Sequence, residues 1–274
     1  MTEFADTAAG DRIGFDRYGP EAGYGPEAGS GSSTRPGAVF IAGAGPFRAM
    51  DPMTTETARL AAEQGVGTLV YDRLGRGDSE AEGDLTLDRE LAAIAAAIDA
   101  VGGSAVLVGH SSGCAIALAA ADVGLPVTGL VLFEAPIGQF AGGAAGFERD
   151  FLRHLDAGDH EAAQREYMRD MPPEFLEAAM QDPAWPQIAL GSRSYRADAR
   201  ALAWAEEVPA AERYERITAP VLVTVGAETF PGMTETAEAL QAAIPSATFR
   251  VMPGAMHEWE PGPMAAAIVE LARG

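Results

Sequence analysis

The sequence predicts an α/β chain, with a mostly parallel central sheet covered by helices on both faces and a helical segment inserted late in the order. Three observations point there. Short apolar runs of strand character alternate with longer helical patterns, as strand–helix–strand crossovers require. The alternation stops between about Ile137 and Thr218, where the pattern is helical throughout. A single Gly-x-Ser-x-Gly turn, Gly109-His110-Ser111-Ser112-Gly113, joins an apolar run to a run of small helix-forming residues.

In chain order, Ala38–Ala42 reads as a strand and Thr54–Gln64 as a helix. Thr68–Tyr71 is the next strand and Leu85–Val101 a long helix. Ala105–Val108 leads through the serine turn into a helix over Cys114–Ala121, and Leu130–Phe133 is a further strand. Val221–Val225 and Thr248–Val251 are strands, followed by helices around Thr234–Ala243 and Pro263–Leu271. Continuous apolar runs of this length suit strands buried on both faces. The predicted core is therefore residues 1–136 and 219–274. Residues 137–218 form an inserted cap, with helical patterns such as Phe147-Phe151-Leu155 and Phe175-Leu176-Met180. An insertion opening after one strand and closing before the next lies over the carboxyl ends of the strands, where open α/β sheets bind ligands. Within the core, residues 18–36 carry Tyr-Gly-Pro-Glu-Ala-Gly twice in tandem and then a Gly- and Ser-rich run, which reads as a flexible loop.

Composition narrows the chemistry. The 274 residues, 47% apolar, can bury one substantial core. No apolar stretch reaches the roughly 18 residues of a membrane span, and the acidic start does not read as a secretory signal. The one cysteine, Cys114, cannot form an internal disulfide and reads as a small core residue; a cytoplasmic setting is expected. Forty acids against 19 bases leave a net charge of −21, which repels nucleic acid and anionic lipid. All the bases are arginine, so lysine-based Schiff-base, P-loop and kinase chemistry is excluded. Asparagine is also absent, which excludes a Cys-His-Asn triad. No paired-cysteine or His-Glu-x-x-His spacing is present to hold a metal, and no cofactor is implied. The expected partner is a small-molecule substrate.

A serine on a sharp strand-to-helix turn exposes its hydroxyl, and the flanking glycines let strand and helix approach. That hydroxyl needs a base, itself oriented by a third group. Of four histidines, His110 adjoins Ser111 and reads as structural, while His154 and His160 fall on charge-rich predicted cap helices. His257 follows the last strand at the carboxyl edge of the sheet and is the expected base. Two carboxylates compete for the third place: Glu134, after Leu130–Phe133, and Glu228, after Val221–Val225 and Gly226. A carboxylate abutting a buried apolar strand needs a bound partner, and an imidazole N–H is one, so Glu134 is favoured. For the developing oxyanion, the backbone N–H of Ser112 and that of Ala44, in Gly43-Ala44-Gly45, are the expected donors. Phe140, Phe147, Trp185, Tyr195 and Trp204 are candidates for a substrate pocket. The charged stretch Tyr71-Asp72-Arg73-Leu74-Gly75-Arg76-Gly77-Asp78-Ser79 reads as a structured turn without a direct catalytic role.

Gly43-Ala44-Gly45, the Tyr71–Ser79 turn, Val108–Gly113, Leu130–Pro136, Val225–Thr229 and Met252–His257 together resemble the small, capped bacterial hydrolases of the α/β-hydrolase fold. The resemblance runs over nearly the whole chain. It implies a Ser…Glu…His triad and hydrolysis of an ester, lactone or thioester through an acyl-enzyme. It also favours Glu134, because the later acidic position is often not acidic in that group. Ala42 stands where a histidine often precedes the oxyanion loop, and the hexapeptide duplication is particular to this chain. Relatives with aspartate at the nucleophile are epoxide hydrolases and dehalogenases, and Ser111 argues against both reactions. The fold hosts many chemistries. Carbon–carbon cleavage, lyase or acyl-transfer reactions, and a non-catalytic binding protein, stay open at this level.

Overall fold

The computed structural model describes residues 2–19 and 36–274, so most of the duplicated hexapeptide loop lies outside the described residues. Its strands are β1 (Glu3–Asp6), β2 (Arg12–Tyr18), β3 (Gly37–Ile41), β4 (Thr68–Tyr71), β5 (Ala105–His110), β6 (Val127–Phe133), β7 (Val221–Glu228), β8 (Ala247–Ala255) and β9 (Glu258–Trp259). They form one sheet in the order β1-β2-β4-β3-β5-β6-β7-β8-β9. The six strands from β4 to β8 across the sheet run parallel, and β1, β2 and β9 are antiparallel additions at the two edges.

Side-chain alternation along the strands divides the core into two layers. Val39, Ile41, Leu107, Leu130 and Leu132 face one side, and Ala38, Phe40, Val106, Val108 and Val131 face the other. The first layer packs against α2 (Leu87–Ala100) and α3 (Gly113–Asp122); the second packs against α1 (Pro52–Glu63) and α11 (Pro261–Arg273). Helix α1 starts where Asp51 accepts the Thr54 N–H at 2.9 Å and Pro52 occupies the first turn, a start that asks for no missing donor.

Between β6 and β7 the described chain holds no strand. It forms α4 (Ala144–Asp156), α5 (His160–Tyr167), α6 (Pro173–Gln181), α7 (Trp185–Gly191), a 3-10 turn (Ser192–Tyr195), α8 (Arg196–Glu206) and α9 (Ala210–Arg213). Helix α8 buries Ala197, Ala199, Ala201, Leu202, Ala203 and Ala205 and packs against α2, α3 and α4. After β7, α10 (Met233–Ala243) completes the helices. The chain order passes from β3 outward to β4 and back to β5 on β3's other side. Such a reversal opens a crevice at the strands' carboxyl ends. Gly43 follows β3 there and Ser111 follows β5.

Two features depart from the pattern read in the sequence. The β1–β2 hairpin was not expected, since charged residues (Glu3 and Asp6; Arg12, Asp16 and Arg17) interrupt both short edge strands. Strand β8 continues to Ala255 through Pro253 and Gly254, so His257 sits on a hairpin tip and not in a loop past the last strand.

Candidate active site

Four non-glycine residues have positive φ among the described residues: Ser111 at 54°, Glu134 at 49°, Met256 at 53° and His257 at 67°. Such backbone costs free energy and persists where the surroundings over-determine it, commonly at functional sites. Three of the four are the serine, acid and histidine singled out in the sequence. Ser111 is held by its N–H to the Phe133 carbonyl at 2.9 Å and starts the tight turn into α3. That turn depends on Gly113, where a Cβ would lie 2.3 Å from the Ile41 carbonyl oxygen. Ser112 caps α3, whose amino end faces the serine turn with the positive end of the helix dipole.

His257 occupies the second position of a two-residue turn, with Gly254 paired to Trp259 and Ala255 to Glu258 on either side. Left-handed backbone at both turn residues matches the twist of a tight hairpin, a place usually taken by Asn-Gly. Its ring Nδ1 meets Glu134 Oε2 at 2.5 Å, and Glu134 Oε1 accepts the Gly226 N–H at 3.0 Å. Glu134 is 1% exposed. Burial alone pushes its pKa up, but the contacts with His257, the Thr229 hydroxyl and the Gly226 amide outweigh it and hold the carboxyl below its ordinary value. Thr229 Oγ1 is buried without a well-formed hydrogen bond, so its effect on Glu134 acts at longer range. Glu228, the other candidate acid, is exposed at the end of β7 beside Ala255 and makes no contact with His257.

The Gly43 loop lies against the serine: a Cβ on Gly43 would sit 2.9 Å from Ser111 Cβ and 3.5 Å from its Oγ. Only glycine lets that backbone come so near. The loop after β3 that carries Ala44 therefore lies beside Ser111, and Ser112 follows it at the start of α3. His110 turns away from the serine and its Nε2 meets the His257 carbonyl at 2.9 Å. The Cys114 thiol is buried, bonded to the Gly109 carbonyl at 3.2 Å, with its pKa pushed up by burial, as suits a core residue.

A cavity of about 330 Å³ opens on Ser111, Ser112 and His257. Of the five aromatic residues expected at a pocket, Phe140 lines it and the other four do not. Phe147 is fully buried behind Phe140, with ring centroids 4.3 Å apart. Trp185 is covered by the Arg165 guanidinium, Trp204 packs beside Arg213 and Tyr214, and Tyr195 lies against Tyr167. These rings hold the helical segment together; residue type alone could not say which face they take. The walls are instead Tyr167, Phe175, Phe230, Met171, Met233 and Leu202, with three prolines. Phe230 was findable, because it follows the carboxyl end of β7, and its ring centroid lies 5.8 Å from that of His257. Asp170 is the one carboxylate on the wall, and no arginine lines it.

Residues 38–273 match the model of the alpha/beta hydrolase family. This chain belongs to that family. An alpha/beta hydrolase from Sphaerobacter thermophilus is 27% identical, with 98% of this chain and 99% of that one aligned at a TM-score of 0.76. A thermophilic esterase from Thermogutta terrifontis is 21% identical over 100% and 97% of the two chains, with a TM-score of 0.62. The enol-lactonase of Burkholderia xenovorans is similar in fold at 15% identity, over 99% and 100%, with a TM-score of 0.62. No curated protein matches the sequence. Among the described residues, no helix of this hydrolase is long and apolar enough to cross a membrane, and no cluster of His, Cys, Asp or Glu could hold a metal ion.

Proposed function

We propose that this hydrolase cleaves an ester, lactone or thioester of small to medium size through an acyl-enzyme on Ser111, with an uncharged, apolar acyl group in the cavity. One observation carries the reading. The His257 imidazole is gripped at Nδ1 by a buried, ionised Glu134, which leaves Nε2 as the nitrogen that works on the same cavity as Ser111.

In this reading, Ser111 Oγ attacks the carbonyl carbon as its proton passes to His257 Nε2. Glu134 stabilises the imidazolium that forms, and its lowered pKa keeps it charged for that task. The N–H groups of Ser112 and Ala44 receive the negative oxygen; each such donor is worth about 3–4 kcal/mol. Collapse expels the alcohol or thiol with the proton from His257, and a water activated by the same ring then hydrolyses the acyl-enzyme. Residues 137–218 act as a lid that supplies Phe140, Tyr167, Phe175 and Leu202 to the acyl site.

The wall's charge supports an uncharged substrate. Asp170, the one carboxylate on the wall, is already paired with Arg169 at 3.0 Å, and a carboxylate-bearing acyl group would find no guanidinium among the lining residues to meet it. Carbon–carbon cleavage of an anionic substrate fits this cavity poorly for the same reason.

A fluorophosphonate probe, followed by mapping of the adduct, tests the reading directly. Labelling at Ser111 that is lost in His257→Ala is expected; an unlabelled Ser111 would refute it. A homologous series of straight-chain nitrophenyl esters then tests the acyl site. Each buried methylene adds about 0.8 kcal/mol, so kcat/KM should rise about fourfold per carbon until the cavity is full. Terminal carboxylates on the same chains should abolish the gain.

A further inference from the structure

The charged turn after β4, which the chemistry above leaves unused, bonds to the backbone of the oxyanion loop. Arg73 Nη1 donates to the Ala42 carbonyl at 3.1 Å, and Arg76 Nη1 donates to the Gly43 carbonyl at 2.6 Å. The Gly43 carbonyl and the Ala44 N–H belong to one planar trans peptide, whose C=O and N–H point in opposite directions. Anchoring the oxygen on Arg76 therefore fixes the aim of the Ala44 N–H.

Both guanidiniums are buried, and their shared counter-ion comes from elsewhere in the chain. Asp198, on α8, takes Arg73 at 2.6 and 3.0 Å and Arg76 at 3.4 Å, and it is fully buried. The same carboxylate accepts the Ser112 hydroxyl at 2.7 Å. Ser112 carries the second oxyanion N–H. One side chain of the inserted segment thus touches the supports of both donors: Ser112 directly and the Gly43–Ala44 peptide through Arg76. Glu90 adds a second acid, 3.2 Å from Arg73 Nε, so the four charges balance. A buried ionic network of this kind is weak as a source of stability, and positioning is the better-attested use.

We infer that Asp198, acting through Arg76 and the Ser112 hydroxyl, is a positioning residue that aligns both N–H groups of the oxyanion hole and makes that alignment depend on the seating of α8. This rests on the serine-hydrolase reading above. A misaligned donor loses strength only where charge develops, so the loss falls on the transition state and not on substrate binding.

The test compares Asp198→Asn and Ser112→Ala with the wild-type protein on a neutral nitrophenyl ester. Fluorophosphonate titration counts active sites, and an alkyl trifluoromethyl ketone serves as the tetrahedral analogue. Asp198→Asn is expected to lower kcat per titrated site by about 10–100-fold and analogue affinity by the same factor, with KM within about threefold. Ser112→Ala keeps the N–H and should lose about fivefold or more in both. The acid limb of the pH–rate profile should not move, because the His257–Glu134 contact is untouched. A merely structural role would lower the number of titratable sites and leave kcat per site unchanged.

Unchanged kcat and analogue affinity in Asp198→Asn would overturn the proposal. Should that variant not fold, unchanged values in Ser112→Ala would do so alone. A wild-type protein unlabelled at Ser111 removes the hydrolase reading and this inference with it; a labelled wild type beside an unaltered variant removes this inference only.

Discussion

His110 and His257 are joined side chain to backbone: the Nε2 of one meets the carbonyl oxygen of the other at 2.9 Å, and their rings lie 4.7 Å apart. A carbonyl can only accept, so Nε2 of His110 carries the proton. Burial is the main cause that pulls the His110 pKa down, to about 3, with the neighbouring His257 next. The ring is packed among His257, Phe133 and Trp259, and Trp259 is itself tied to Thr57 by its indole N–H at 2.8 Å. His110, the residue before Ser111, thus holds the hairpin tip that carries His257, so that an unfavourable Met-His turn stays in one conformation.

His110→Phe should keep the ring packing and lose the donor. The unpaired His257 carbonyl then costs about 1–3 kcal/mol, read as a shift in the urea midpoint at constant slope. A turn left free to move should lower kcat about tenfold or more, because small displacements of a catalytic base are amplified in rate. A variant as active as the wild type would show that the turn holds itself.

Glu134→Gln is expected to reduce kcat by about 10³–10⁴-fold on a generic nitrophenyl ester, since the amide cannot stabilise imidazolium and favours the wrong tautomer. Glu228→Gln should stay within about twofold, as its side chain is exposed at the end of β7. Steady-state kinetics on both variants would overturn the assignment if the two outcomes were exchanged.

Acid should destabilise the protein through both groups that flank His257. Glu134 has a folded pKa below its ordinary 4.5, so its contribution is present above that value and is lost as pH falls through the folded pKa. His110 has the same sign for the opposite reason. Its ring stays neutral in the folded chain down to about pH 3, while the unfolded chain takes up a proton from about pH 6.5 downward. Stability attributable to this ring therefore falls between those two values. His110→Phe has no such titration, so the stability difference should shift in the variant's favour by about 3 kcal/mol from pH 7.5 to pH 4.5, closing or reversing the gap. Urea midpoints at the two pH values measure this; a gap of constant size would refute it.

The central parallel strands were legible because they are buried on both faces and read as apolar runs, Leu130–Phe133 being one. The serine turn and His257 were legible because strand ends concentrate ligand-binding residues at one rim. Pro253 and Gly254 hid the end of β8, since both mark turns in most contexts. The hold on the oxyanion loop was invisible for a different reason. Arg73 and Asp198 stand 125 residues apart, and no local pattern pairs one arginine among 19 with one acid among 40. The pocket aromatics divided by facing, with Phe140 on the wall and Phe147 behind it, a distinction that only packing decides.

Gly43→Ala tests the oxyanion loop with the smallest possible change. The new methyl would sit 2.9 Å from Ser111 Cβ, closer than real carbon contacts come, and 3.0 Å from the His110 carbonyl oxygen, a tight contact. Neither neighbour can retreat, because Ser111 is fixed by its bond to Phe133 and His110 by its bond to His257. The loop must move instead, carrying the Ala44 N–H away from the place where the oxyanion forms. A fall of about 10²-fold in kcat is expected, with a matching loss of affinity for a trifluoromethyl ketone and little change in KM. The overpacking should cost about 1–3 kcal/mol of stability, visible in the denaturant midpoint. If kcat and analogue affinity instead survive while stability drops, the Gly43 loop is only a close-packed turn and the second donor lies elsewhere.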